Sequence, residues 1–316
     1  MTSLAEATTM LAQLETSMGV PTFALFANWK GEYSVDVDEE AGRIFATMVL
    51  ERMRRENGQE IAILLAARGG DPEFADAVLR AIWHLGLRAQ VVILTRVDGA
   101  VAHLAIGAES ITLHPLAGLG ALDSGLLAVP PTAVTAGTLA YFPVSPLDAP
   151  LEPARELLLC RVAEDRRVRA ELRTQARRLL ERKIEDLEER ELQLTFEESL
   201  GKSGTLDSWG LSQLGLECRV APGPLAEQLE ELLRWAGAHL RLYGEPPQRY
   251  RVSDSFAEEV EFDLATTIEA AAILSSEDAW IYELDTGSPD PDALKLKGNW
   301  KPWDPEKPPI SVEPEE

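Results

Sequence analysis

Two glycines at the end of an apolar run are the first feature with chemical content. In IAILLAARGGDPEFADAVLRAI a strand-like segment gives way to Gly69 and Gly70 and then to a helical pattern. Paired glycines at a strand exit let the backbone pass through positive φ and aim N–H groups at an oxyanion near a helix N-terminus. A tight βα turn without any ligand uses the same residues. Further on, the strand AQVVILT leads into RVDGAVAHLAIGAESITLHPLAGLGALDSG, which reads as helix, strand and glycine-rich loop. Asp98 stands where a helix N-cap belongs, and a carboxylate there is a better cap than a peptidase nucleophile.

The remaining reactive side chains are few. His103 falls on the helix after Asp98 and His114 at the end of a strand, so each reads as a packed or surface imidazole. Cys160 and Cys218 are the only cysteines, too few for a disulfide scaffold or a cysteine-rich zinc site, and they suit a reducing compartment. No metal site and no cofactor are expected. The stretch VTAGTLA offers Thr135 as a further hydroxyl after the glycine-rich loop.

These residues need elements to hold them. TFALFANW, IAILLAA, AQVVILT and ESITLHP are strand-like, and Glu39 to Asn57, Pro72 to Leu85 and Val101 to Gly107 carry helical spacing. That alternation predicts an α/β fold over 1–150. From Pro153 to Leu194 the chain turns into charged helix. Leu172, Ala176, Leu179, Leu180, Ile184 and Leu187 form its apolar stripe, to be packed on the core or on a sister subunit. This is the heart of a helical extension over 151–250. A strand and helix segment follows over 251–287, with AWIYEL its clearest strand. The last stretch, 288–316, has seven prolines and acids throughout, and is expected to be a solvated, dispensable tail. Its alternative is docking through Trp300 and Trp303.

Composition narrows the function. The 316 residues carry 53 acidic and 30 basic side chains, a net charge of -23, which repels phosphate backbones and anionic membrane surfaces. Nucleic acid is excluded as an expected partner. The apolar passage from about Ala117 to Val144 is interrupted by Asp123, Pro130 and Pro131, so no membrane span is expected. The opening MTSLAEATTM lacks a basic region before an apolar run, which reads as cytoplasmic.

In their order, the strand, Gly-Gly, helix unit and the strand, helix, strand, glycine-rich loop unit resemble the Clp and crotonase architecture. More narrowly, they are similar to the serine dehydrogenase proteinase family. That family reads approximately HTPGGD where this chain has AARGGD, and A-x-S-A-G-T-L-x-A-L-x-A-D-x-I then L-G-P-I-D where this chain has VDGAVAHLAIGAESI then LGALD. LAQLETSMG and SGTLDSWGLSQLGL fit as well, so the resemblance spans about residues 10 to 250. It implies a Clp/crotonase-like spiral of ββα units with added helices and an acidic C-terminal tail.

The same resemblance puts Gly99, ten positions before Glu109, where the family has its nucleophilic serine. Thr205, Leu206 and Asp207 match the family's Thr, His and Asp, which puts Leu206 in place of the general base. Neither glycine nor leucine does proton chemistry. What survives is an oxyanion pocket of Gly69, Gly70 and Ala100. The resulting expectation is a pseudo-peptidase with a structural or regulatory role, assembled as a homo-oligomer or with an active paralogue, holding a peptide or protein ligand. The alternatives are an active serine-type hydrolase of the same fold with a displaced nucleophile, and a crotonase-like acyl-thioester enzyme.

Overall fold

A computed structural model describes residues 4–29, 34–56, 58–125, 153–184, 188, 194–196, 200, 204–240, 242, 267–285 and 298–303. The apolar runs become strands β1 (Thr22–Ala27), β2 (Glu60–Ala66), β3 (Arg88–Ile93) and β5 (Ser110–Leu113). These and β7 (Cys218–Val220) pair in parallel. Parallel pairing needs a crossover between strands. Helices α2 (Glu39–Glu56), α3 (Pro72–His84) and α4 (Gly99–Gly107) supply three of them. Between β3 and α4 the chain makes the two-residue β4 (Arg96–Val97), which pairs in parallel with β6 (Gly118–Leu119), the segment after β5.

The large sheet has eight strands in the order β10-β9-β8-β1-β2-β3-β5-β7, with β8 (Thr267–Ser275), β9 (Ala279–Asp285) and β10 (Gly298–Pro302) joined antiparallel on the β1 side. Its side chains alternate between two cores. Phe23 and Leu25 of β1, Ile63 and Leu65 of β2, and Val91 and Ile93 of β3 face one cluster with Phe45 of α2, Phe74 of α3 and Leu104 of α4. Ala24 and Phe26, Leu64 and Ala66, and Val92 face the other, closed by α1 (Leu4–Met18) and α7 (Gly223–His239) through Leu11, Leu14, Leu232 and Trp235. Both faces of the sheet are therefore covered, as a largely parallel sheet requires.

This packing decides between two expected alternatives and corrects one expectation. Helix α5 (Pro153–Glu181) carries the predicted stripe, and Leu172, Ala176, Leu179 and Leu180 are buried in the first core, beside α3 and α4. These four residues of the stripe therefore meet the chain's own core, the first of the two expected alternatives; Ile184 is half-buried past the helix end, and Leu187 lies outside the described residues.

The correction concerns the tail expected over 288–316, of which residues 298–303 are described. Residues Gly298–Pro302 form β10, Trp300 is 6% exposed and packs edge-on against Tyr282 at 5.3 Å, and the Trp303 N–H donates to the Ala279 carbonyl at 2.8 Å. A single indole buried on a strand outweighs the proline and charge content around it. The described residues of these two segments, 267–285 and 298–303, thus add strands to the sheet that β1, β2, β3 and β5 begin; the rest of 251–287 and of 288–316 lies outside the described residues.

Candidate functional site

The parallel strands end on one edge, and the turns leaving β2 and β4 meet there. The Gly69 N–H donates to both the carbonyl and the Oδ1 of Asp98, each at 3.1 Å, and the Val101 N–H returns to the Gly69 carbonyl at 3.3 Å. Gly69, Gly70 and Gly99 all have positive φ, at 67°, 95° and 59°. Space as well as φ demands glycine at the last two. A Cβ on Gly70 would stand 2.7 Å from the Val37 carbonyl oxygen, and one on Gly99 would stand 2.6 Å from that of Ser124 and 2.9 Å from Gly69 Cα.

Asp98 is where a cap residue stands, but it makes no side-chain bond to α4. This corrects the expected capping role: Oδ2 accepts from Arg96 Nε at 3.2 Å while Oδ1 faces Gly69, so the carboxylate ties the two turns together. Burial pushes its pKa up, opposed by Arg68, Arg96 and the Gly69 N–H. With the Gly69 N–H turned to Asp98, the expected oxyanion pocket is left with the buried N–H groups of Gly70 and Ala100. Neither donates to a backbone acceptor among the described residues.

The other aligned positions lie on the neighbouring short sheet. Leu206 is bridged to Leu119 by two backbone hydrogen bonds, at 2.9 and 2.7 Å, and Leu119 is in turn the partner of Val97 in β4. Leu206 and Gly99 are thus held on either side of β6. Asp207 caps α6 (Ser208–Gln213), accepting from the Gly210 N–H at 2.9 Å. Its carboxylate is exposed and occupied by that turn.

His103 is fully buried, with Nδ1 at 2.5 Å from Gln175 Oε1 and Nε2 at 2.9 Å from the Leu122 carbonyl oxygen. His114 is buried as well and accepts from the Leu116 N–H. Cys218 is pushed up to about 11 by burial and by Asp207, which makes it a poor thiolate at neutral pH. Cys160 lies on α5, and Thr135 lies outside the described residues. Among the described residues no group of three or more His, Cys, Asp or Glu side chains is placed to hold a metal ion. None of their helices is long and apolar enough to cross a membrane.

Burial of His103 has a measurable consequence. It depresses the imidazole pKa, against the raising influence of Gln175, the Leu122 carbonyl and Asp123, so the folded chain protonates this ring less readily than the unfolded one. The unfolded chain takes up a proton near the ordinary value of about 6.5. The stabilising contribution is therefore complete above that value and is lost as pH falls from it toward the folded pKa, by at most about 1.4 kcal/mol per pH unit. Thermal melts between pH 7.5 and 5 should show a shallower pH dependence for His103→Gln than for the parent; equal slopes would remove His103 from the account.

Sequence reasoning passed over Arg68, Arg96 and Ser124. Arg68 stands inside the AARGGD run itself, so the signal was a cation at the mouth of a Gly-Gly turn. No family model matches the chain, and no curated protein matches it closely enough to indicate kinship.

Proposed function

We propose that this chain is a noncatalytic relative of the serine dehydrogenase proteinases, built on the Clp/crotonase plan and serving as a structural or regulatory subunit. The observation that carries the reading is Gly99, where the aligned nucleophile is missing and a side chain would run into the Ser124 carbonyl and Gly69. Leu206 in the aligned base position supports it, since its backbone is locked to Leu119 and its side chain accepts no proton. The repeated order of a long strand followed by a short one, β3 then β4 and β5 then β6, is what a spiral of ββα units would produce. Loss of both groups costs orders of magnitude in rate, while paired N–H groups still bind.

One observation favours a second reading. The close approach of the Ser124 backbone to Gly99 brings a hydroxyl-bearing residue to the vacant position, as a displaced nucleophile would require. Casein incubated with the purified chain tests both. No hydrolysis above buffer is expected; turnover lost in Ser124→Ala would overturn the noncatalytic reading in favour of this one.

Assembly belongs to the same proposal, as a homo-oligomer or with an active paralogue in the cytoplasm. The four buried stripe residues of α5 are already used by the chain's own core. Leu116, Trp209 and Val220 are exposed on or next to the β5 and β7 end of the sheet. Light scattering at micromolar concentration should return a multiple of 34.7 kDa, and a mass near 34.7 kDa would refute self-association.

A further inference from the structure

We infer that Arg68 is a carboxylate clamp, and that the ligand of this site presents a carboxylate group to it. The inference deepens the proposed function and rests on it only in taking the turns after β2 and β4 as a place that a ligand occupies.

Arg68 is half-buried at the strand ends, where open α/β sheets bind ligands. One face of its guanidinium lies over the Trp29 ring, 5.0 Å from the centroid, and its Nε donates to the Arg96 carbonyl at 3.2 Å. These two contacts fix the plane of the group and leave both terminal nitrogens without a hydrogen bond among the described residues. The nearest candidate counter-ion is already engaged. Asp98 is bonded through one oxygen to Arg96 and through the other to Gly69, and no carboxylate lies within ion-pair distance of Arg68 among the described residues.

A half-buried guanidinium with no ion-pair partner among the described residues is costly, and in a chain of net charge -23 it is also out of character. Burial lowers its pKa and Arg96 lowers it further, with Asp98 opposing. The end of the group that makes no hydrogen bond among the described residues is a planar fork with two parallel N–H bonds to give, which matches the two oxygens of a carboxylate. One unmatched charge asks for one negative charge. A carboxylate supplies it, whereas a phosphate dianion overshoots beside the Asp98 carboxylate.

The test is calorimetric titration of the full chain at 0.15 M salt with N-acetyl-Ala-Ala as free acid, its C-terminal amide, sodium acetate and inorganic phosphate. The acid is expected to saturate and the amide not. Arg68→Gln should weaken the acid roughly 10- to 100-fold, and Arg68→Lys should weaken it less, with melting temperatures close to the parent's. Acetate binding with the same Arg68 dependence assigns a small free acid, and saturation by the peptide acid alone assigns a chain terminus; either supports the clamp. Equal binding of acid and amide, phosphate binding as tight as carboxylate, an unaffected Arg68→Gln, or no saturation by either carboxylate overturns it. Hydrolysis of casein with carboxylate binding intact would sink the noncatalytic reading and leave the clamp standing. Absence of both would sink the clamp alone.

Discussion

Gly99→Ser lowers the melting temperature by roughly 5–10 °C, a loss of about 3 kcal/mol, and restores no hydrolysis. The direction follows from two independent terms. A residue with a Cβ held at φ 59° costs of order 1 kcal/mol or more. The added carbon must also push back the Ser124 carbonyl oxygen, 2.6 Å away, and the Gly69 backbone, neither of which is the free end of a flexible side chain. The Gly99 N–H is meanwhile tied to the Ala121 carbonyl at 2.9 Å, so the turn cannot swing away without losing that bond. A variant as stable as the parent would show that the loop from Gly118 to Gly125 yields readily. If it also cleaved casein, the site would be a simple one-residue knockout of an enzyme.

Trp300→Ala costs about 3–5 kcal/mol, and deletion of residues 288–316 costs at least as much. The indole is buried against Tyr282 and the first core, and removing it opens a cavity beside the edge of the sheet. Deletion removes β10 entirely and bares the backbone edge of β9, from Leu284 to Trp280, to water. A drop of only a degree or two in the melting temperature of either variant would return the segment to the solvated tail that its composition suggests.

Those two cases also mark what the sequence makes legible. β1, β2, β3, β5, α2, α3 and α4 follow from local signals: an apolar run, helical spacing, Pro72 just inside α3 and glycines at the strand exits. β10 has no such signal, because GNWKP contains one apolar side chain and a proline, and its pairing is fixed by β9 and by Trp300. β4 and β6 are two residues each, too short for any periodicity.

The site divides in the same way. Its glycines are readable as types, but the partner of Asp98 is Gly69, on another turn, so local reasoning assigns it a cap it does not make. The α5 stripe is correctly apolar, yet sequence does not say whether a stripe meets its own core or another chain. Arg68 is visible as a residue, while its having no counter-ion among the described residues is a property of the folded neighbourhood.

The central claim is that the folded chain holds no activated nucleophile. Labelling with a fluorophosphonate serine probe, at neutral pH and read by intact mass, tests it most directly because it needs no knowledge of the substrate. The account predicts an unmodified mass after prolonged incubation. Stoichiometric addition of one probe, abolished by a single substitution such as Ser124→Ala, would contradict it.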